Sequence, residues 1–175
     1  MTKLRSCIAG LVLLCITAGA IAADEGSMQD CNQSGGLNFI CDISVPEDLV
    51  IIPGTDWVVA GSFSEANTTG LHLINSISKN VTALYSPQAG RSRLNRSLYG
   101  ACPGEPDLND FQSHGLGIQT HINESGIYTL YVVSHGGREA IEVFEINASG
   151  ASPQATWIGC VLMPDGLDAN DVTAM

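Results

Sequence analysis

The chain is poor in positive charge. Only 7 of its 175 residues are Lys or Arg, against 18 Asp and Glu, and the formal net charge is −11 at pH 7. Such a surface repels nucleic acid and anionic lipid, so we expect neither nucleic-acid binding nor strong membrane binding. Two interpretations of the acidity stay open. The surface is simply soluble, or it binds cations, because hard divalent ions prefer oxygen ligands and net negative charge.

The sequence also lacks the common short motifs of enzymes. It has no GxSxG nucleophile elbow and no GxxxxGK[ST] phosphate loop, and Gly115-Leu116-Gly117 is without the third glycine of a dinucleotide loop. No CxxC or Cys/His spacing predicts a zinc site. Hydrolysis by this chain would therefore run through a metal-polarised carbonyl and an activated water.

Residues 1–23 have the pattern of an export signal. Lys3 and Arg5 precede an apolar stretch, and small residues follow it. We expect a secreted or periplasmic mature chain, residues 24–175. An uncleaved anchor is the alternative, although the apolar stretch is shorter than the ~20 residues of a spanning helix.

Cysteine is scarce in the predicted mature chain. In an oxidising compartment its cysteines are expected to pair, and four of them allow three connectivities, between which the sequence does not choose. The four are Cys31, Cys41, Cys102 and Cys160.

No helical periodicity appears after the signal segment. Short runs rich in β-branched and aromatic residues alternate with turns of Gly, Asn, Pro and Ser, which predicts two successive four-stranded meanders. A long surface loop is expected between Gln88 and Ser113. The predicted strands are LVII, DWVVAGS, GLHLINS and NVTALYS, then GLGIQTHI, IYTLYVVSH, EAIEVFEI and ATWIGCV.

Three dipeptides open apolar runs of the same kind. They are Glu47-Asp48, His114-Gly115 and Asn170-Asp171, at spacings of 114 − 47 = 67 and 170 − 114 = 56 residues. Such spacings suit four-stranded blades with loop insertions. We therefore predict an all-β chain that forms a β-propeller fragment: about two blades plus the first strand of a third. A β-sandwich gives similar strand spacing, but the repeated opening dipeptide weighs against it.

The first strand of each propeller blade lines the central channel, so these dipeptides are expected to converge at one mouth. Glu47, Asp48, Asn170 and Asp171 would form an oxygen-rich cluster suited to calcium. His114 would approach the same mouth, where an imidazole is able to act as a general base.

The chain has three other histidines. His135 ends a predicted strand and precedes two glycines, which leaves it as a second candidate base. For His72 and His121 we expect only hydrogen bonding or exposure.

Four segments resemble the paraoxonase/arylesterase family, which is related to the gluconolactonase-like six-bladed β-propellers. The resemblance covers nearly all of the predicted mature chain. The segments are PEDLVIIPG (46–54), SHGLGI (113–118), LYVVSHGGREAIEVFEI (130–146) and MPDGLDANDV (163–172).

The resemblance implies two calcium ions in the central tunnel and hydrolysis of lactones or aryl esters at the upper one. It matches Glu47 and Asn170 to ligands of the catalytic calcium. It matches Asp48, Asp171 and the backbone carbonyl of Leu116 to ligands of the structural calcium.

The resemblance also matches His114 to the proposed general base and His135 to the second histidine of a dyad. The family propeller has six blades, roughly twice this length, and takes further calcium ligands from later blades. We therefore expect the chain to be an N-terminal fragment, inactive alone and prone to association through open blade edges. The family disulfide joins the N-terminal region to the last blade, so Cys31 or Cys41 is expected to lack its partner.

Two hypotheses of different classes follow. The first is a calcium-dependent hydrolase of lactones or esters, of which this chain is a part. The second is a noncatalytic, calcium-stabilised propeller that serves as a binding module, since propellers host many unrelated functions.

Overall fold

The computed structural model describes residues 34–63 and 70–174. They belong to one unit, Cys31–Met175; the other unit, Met1–Asp30, lies outside them, and with it the predicted signal peptide. The described residues form strands and turns without a helix. None of them therefore forms a helix long and apolar enough to cross a membrane. The prediction of an all-β chain is confirmed.

Eight strands form two antiparallel four-stranded sheets, and in each sheet the strands lie side by side in chain order. The two predicted meanders are thus confirmed. Sheet 1 consists of β1 (Pro46–Ile51), β2 (Trp57–Ser62), β3 (Leu71–Asn75) and β4 (Val81–Tyr85). Sheet 2 consists of β5 (Gln112–Thr120), β6 (Ile127–His135), β7 (Ala140–Asn147) and β8 (Gln154–Leu162).

One hydrophobic core draws on both sheets. The first strands, β1 and β5, contact each other, and so do the last strands, β4 and β8. Between them pack aromatic rings such as Tyr85 of sheet 1 and Phe144 of sheet 2, whose centroids are 4.7 Å apart in an edge-to-face arrangement. Both rings are fully buried, and such aromatic pairs contribute beyond their buried area. The packing fixes β1 beside β5.

The segment after β8 was expected to begin a third blade. The described residues of this segment, up to Ala174, form no strand. The segment nevertheless lies against β5, because a Cβ atom added at Gly117 would be 2.6 Å from the carbonyl oxygen of Val172. The segment therefore packs on the face of β5 toward which a side chain at position 117 would point.

The long loop between β4 and β5 is held along β8. The Trp157 N–H donates to the carbonyl of Arg91, and the Arg93 N–H donates to the carbonyl of Trp157, both at 2.8 Å. The ring of Tyr99 lies so close to Gly159 that a Cβ atom there would be 2.3 Å from it. The loop thus covers part of the edge of β8.

A disulfide fastens this loop to the sheet. Cys102 of the loop bonds Cys160 of β8, and both residues are buried. A buried disulfide of this kind indicates an oxidising, extracytoplasmic compartment. Cys41 is disulfide-bonded as well, so the expectation of a missing partner is wrong for Cys41. Cys31 lies outside the described residues.

Candidate functional site

The residues that open the three repeats meet in one pocket. A cavity of about 230 Å³ is lined by Glu47, Asp48, His114, Gly115, Asn170 and Asp171. The pairs come from the start of β1, from the start of β5 and from the segment after β8, which all lie at the same end of the two sheets. The structure therefore brings together side chains that are 123 residues apart in sequence (170 − 47).

Glycine at position 115 allows this convergence. A Cβ atom there would be 2.5 Å from the Cα atom of Asp171 and 2.6 Å from the carbonyl oxygen of Asn170. Both contacts are with backbone atoms, so a side chain at this position would push the segment after β8 away. Position 115 therefore needs a residue without a side chain, unlike the corresponding positions of the other two dipeptides, which carry Asp48 and Asp171.

The acidic side chains of the pocket hold backbone groups. Asp48 accepts the N–H of Leu49 at 2.8 Å on one oxygen and the N–H of Leu116 at 2.7 Å on the other. Asp171 accepts the N–H of Val172 at 2.7 Å. Asp48 thus joins β1 to β5 at the mouth of the pocket. Leu116, predicted to offer its carbonyl to a cation, meets Asp48 through its N–H.

Four side chains form a continuous hydrogen-bonded relay. Oε1 of Glu47 lies 3.1 Å from Nε2 of His114, and Nδ1 of His114 lies 3.3 Å from Nε2 of His135. At the far end, Nδ1 of His135 lies 2.7 Å from Oε2 of Glu139. The two histidines predicted as a dyad are therefore in contact, with a carboxylate at each end. We name this set the relay.

The relay has three contacts, and each needs one hydrogen. Two neutral imidazoles carry two hydrogens in total, one on each ring. When both carboxylates are ionised, all three contacts are filled only if one additional proton is present. Without that proton, one of the three contacts has no hydrogen.

Phe63, directly after β2, packs against both imidazoles. Its ring centroid lies 5.2 Å from that of His114 and 5.5 Å from that of His135. The two histidine side chains are only 17% and 16% exposed, respectively. Phe63 therefore shields one side of the relay from water and limits the rotation of both rings.

Sequence reasoning missed Glu139 and Phe63. Glu139 stands four residues after His135, across a Gly-Gly turn, and this proximity was a usable signal. Phe63 has no such signal, because its position depends on how sheet 1 packs on sheet 2. His121 bonds Thr129 at 2.8 Å and lies outside the pocket, as the sequence predicts. His72 is on β3 and also outside the pocket, and burial lowers its pKa.

The oxygen donors of the pocket are Glu47, Asp48 and Asp171, with the amide of Asn170. No Lys or Arg lines the cavity, so its negative charge has no cationic neighbour in the lining. This donor chemistry fits a hard divalent cation. The described residues nevertheless include no group of three or more His, Cys, Asp or Glu that could hold a metal ion by themselves. A cation here would need the amide, water or other oxygen donors to complete its shell.

No protein-family model matches the chain, and no curated protein matches it. The resemblance to the paraoxonase/arylesterase family therefore stands on its four sequence motifs.

Proposed function

We propose that the chain is part of a calcium-dependent hydrolase of lactones or aryl esters, similar to the paraoxonase/arylesterase family, and that its sheets are adjacent blades of a propeller. The observation that carries this proposal is the meeting of Glu47, His114 and Asn170 at one pocket, with His114 in the relay. An acid/base group beside a cluster of oxygen donors is what metal-assisted hydrolysis requires.

The proposed cation is held by oxygen donors from β1 and from the segment after β8. Calcium bound at the pocket would polarise the substrate carbonyl and stabilise the negative charge that develops on its oxygen. The donors available for it are Glu47, Asp48, Asn170 and Asp171.

His114 supplies the proton chemistry. In this proposal Nε2, at the pocket, takes a proton from a water molecule as the water oxygen bonds to the ester or lactone carbonyl carbon. The C–O bond to the leaving oxygen then breaks, and this oxygen receives the proton. The products are a carboxylic acid and an alcohol, or one hydroxy acid from a lactone. His135 supports the imidazole of His114 through its Nδ1 side.

One observation favours the second candidate function, a calcium-stabilised binding module without catalysis. Both oxygens of Asp48 bond backbone N–H groups, and one of these bonds ties β1 to β5. A cation at Asp48 would therefore stabilise the fold whether or not any reaction takes place beside it.

The test measures calcium binding on this chain and hydrolysis on the complete propeller of which the chain is proposed to be a part. Calcium at 100 times its Kd should stabilise the folded protein by about 2.7 kcal/mol, seen as a rise in Tm that chelation reverses. Hydrolysis of a lactone and of a phenyl ester is then followed with calcium and after chelation.

Substitutions test which residues form the calcium site. Glu47→Gln and Asn170→Ala should abolish the calcium-dependent rise in Tm and any hydrolysis, whereas His72→Ala, outside the pocket, should leave both. Equal losses in all three variants would show that the site is misplaced. Calcium binding without turnover would support the binding module. If neither calcium binding nor hydrolysis is observed, both proposals are refuted.

A further inference from the structure

Glu139 lies in the connection between β6 and β7, next to the first residue of β7. Its carboxylate oxygen Oε2 is 2.7 Å from Nδ1 of His135, the last residue of β6. Its own carbonyl accepts the N–H of Met163 at 3.0 Å, so the backbone is fixed as well. The carboxylate therefore reaches the relay from a held position.

The neighbouring residue anchors the same connection in the core. Nε of Arg138 donates to Oε1 of Glu142 at 2.7 Å, and Glu142 is fully buried. The other oxygen of Glu142 accepts Nε1–H of Trp157 at 2.7 Å. Burial raises the pKa of Glu142, and the bonds from Trp157 and Arg138 oppose that rise. Arg138 thus binds the core while Glu139 faces the relay.

The turn that follows β6 strongly favours glycine at positions 136 and 137. Gly136 and Gly137 have φ values of 72° and 65°, in the left-handed region. A Cβ atom at Gly136 would also overlap the carbonyl of Asp110. The conformation that places Glu139 beside His135 is therefore set by the turn, by Arg138 and by the core.

A carboxylate accepts hydrogen bonds and an imidazole ring nitrogen does so only when it carries no hydrogen. With Glu139 as acceptor, Nδ1 of His135 carries the hydrogen and Nε2 of His135 becomes an acceptor. Nδ1 of His114 then carries the hydrogen of the next contact. Glu47, 3.1 Å from Nε2 of His114, would by the same reasoning favour the opposite tautomers, but its contact is longer than the 2.7 Å contact of Glu139 and its side chain is more exposed, 43% against 35%. With Glu139 dominant, the lone pair of His114 is left on Nε2, the nitrogen at the pocket.

We propose that Glu139 is a positioning residue that selects the Nδ1–H tautomers of His135 and His114 and so turns the basic nitrogen of His114 toward the pocket. The importance of Glu139 for catalysis rests on the proposed hydrolysis, but its selection of the histidine tautomers does not. Glu139 would not touch the substrate. It acts through the two imidazoles.

The experiment is ¹⁵N NMR of histidine side chains in the full chain at about pH 8.5, where an unperturbed imidazole is neutral. Ring nitrogens with and without hydrogen resonate far apart, so each tautomer is read directly. We expect Nδ1–H at both relay histidines. Glu139→Ala should shift the tautomer ratio of His135 toward Nε2–H by about tenfold, since the bond lost is to a charged acceptor.

Two variants make the result specific. Glu139→Gln keeps the size of the side chain but presents either its oxygen or its NH2 group to Nδ1, so it fits both tautomers and should also lose the preference for Nδ1–H. Glu145→Ala removes the same charge from β7, where Glu145 pairs with Arg93 at 2.7 Å, and it should leave both relay histidines unchanged.

The outcomes separate this proposal from the proposed function. Unchanged tautomers in Glu139→Ala, or equal shifts in Glu145→Ala, would overturn the role of Glu139 even if the protein hydrolyses lactones. The expected shift in both Glu139→Ala and Glu139→Gln, without a shift in Glu145→Ala, would support the role even if no hydrolysis occurs. Should the alanine variant fail to fold, unchanged tautomers in the glutamine variant would overturn the role, because this variant no longer presents only an acceptor to Nδ1.

Discussion

Replacing Asp48 by Asn should weaken the junction between the two sheets. The carboxylate accepts two backbone N–H groups, those of Leu49 and Leu116, one on each oxygen. A carboxamide has one oxygen and one NH2 group, so in Asp48→Asn one of these N–H groups faces another donor. A hydrogen bond to a charged acceptor contributes about 1.5–3 kcal/mol, and the partial exposure of Asp48 reduces this to about 1–2 kcal/mol.

This loss converts into a measurable change in Tm. For a domain of this size, 1 kcal/mol corresponds to about 3 °C, so the Tm of Asp48→Asn should fall by about 3–6 °C. The assay is thermal unfolding followed by circular dichroism at fixed protein concentration, without added cation. Asp56→Asn, an exposed site before β2, makes the same charge change as a control. If the two variants unfold at the same temperature, the bridge from Asp48 to β5 does not stabilise the fold and the reasoning fails.

Two further predictions concern the loop disulfide and one half-buried histidine, His72. The Cys102→Ala/Cys160→Ala double variant removes a link across 58 residues and should lower the free energy of unfolding by about 4 kcal/mol. Urea titration measures this change, and an unfolding free energy equal to that of the wild type would contradict the prediction. Because burial lowers the pKa of His72, the unfolded state gains its proton first as the pH falls below 6.5, so the folded state loses stability in that window. His72→Gln should therefore show a smaller loss than wild type between pH 7 and pH 5, and equal losses would refute the assignment.

The strands were predictable because their information is local. Runs such as IYTLYVVSH carry β-branched and aromatic residues between turn residues, and the structure gives β6 and its neighbours close to the expected bounds. The position of the loop between β4 and β5 could not be predicted in this way. Its backbone bonds to β8, through Arg91 and Arg93, join residues more than 60 positions apart, and no local pattern encodes them.

The candidate site was predictable in part for a similar reason. The repeated dipeptides placed Glu47, His114 and Asn170 at equivalent strand starts, and sheet packing then brings equivalent positions together. Glu139 required the conformation of the Gly-Gly turn. Phe63 required the packing of β2 on the relay. Their roles in binding and catalysis stay predictions.

By itself, the sequence determined that the chain is acidic, built of strands, and marked by three similar openings at the heads of its apolar runs. These properties depend on residue type and near-neighbour order, which a linear chain already contains. Only the tertiary structure decided that an imidazole pair links Glu47 to Glu139 and that one disulfide joins Cys102 to Cys160. Contacts of a few ångströms between distant residues depend on the packing of whole sheets, so they exist only once the chain has folded.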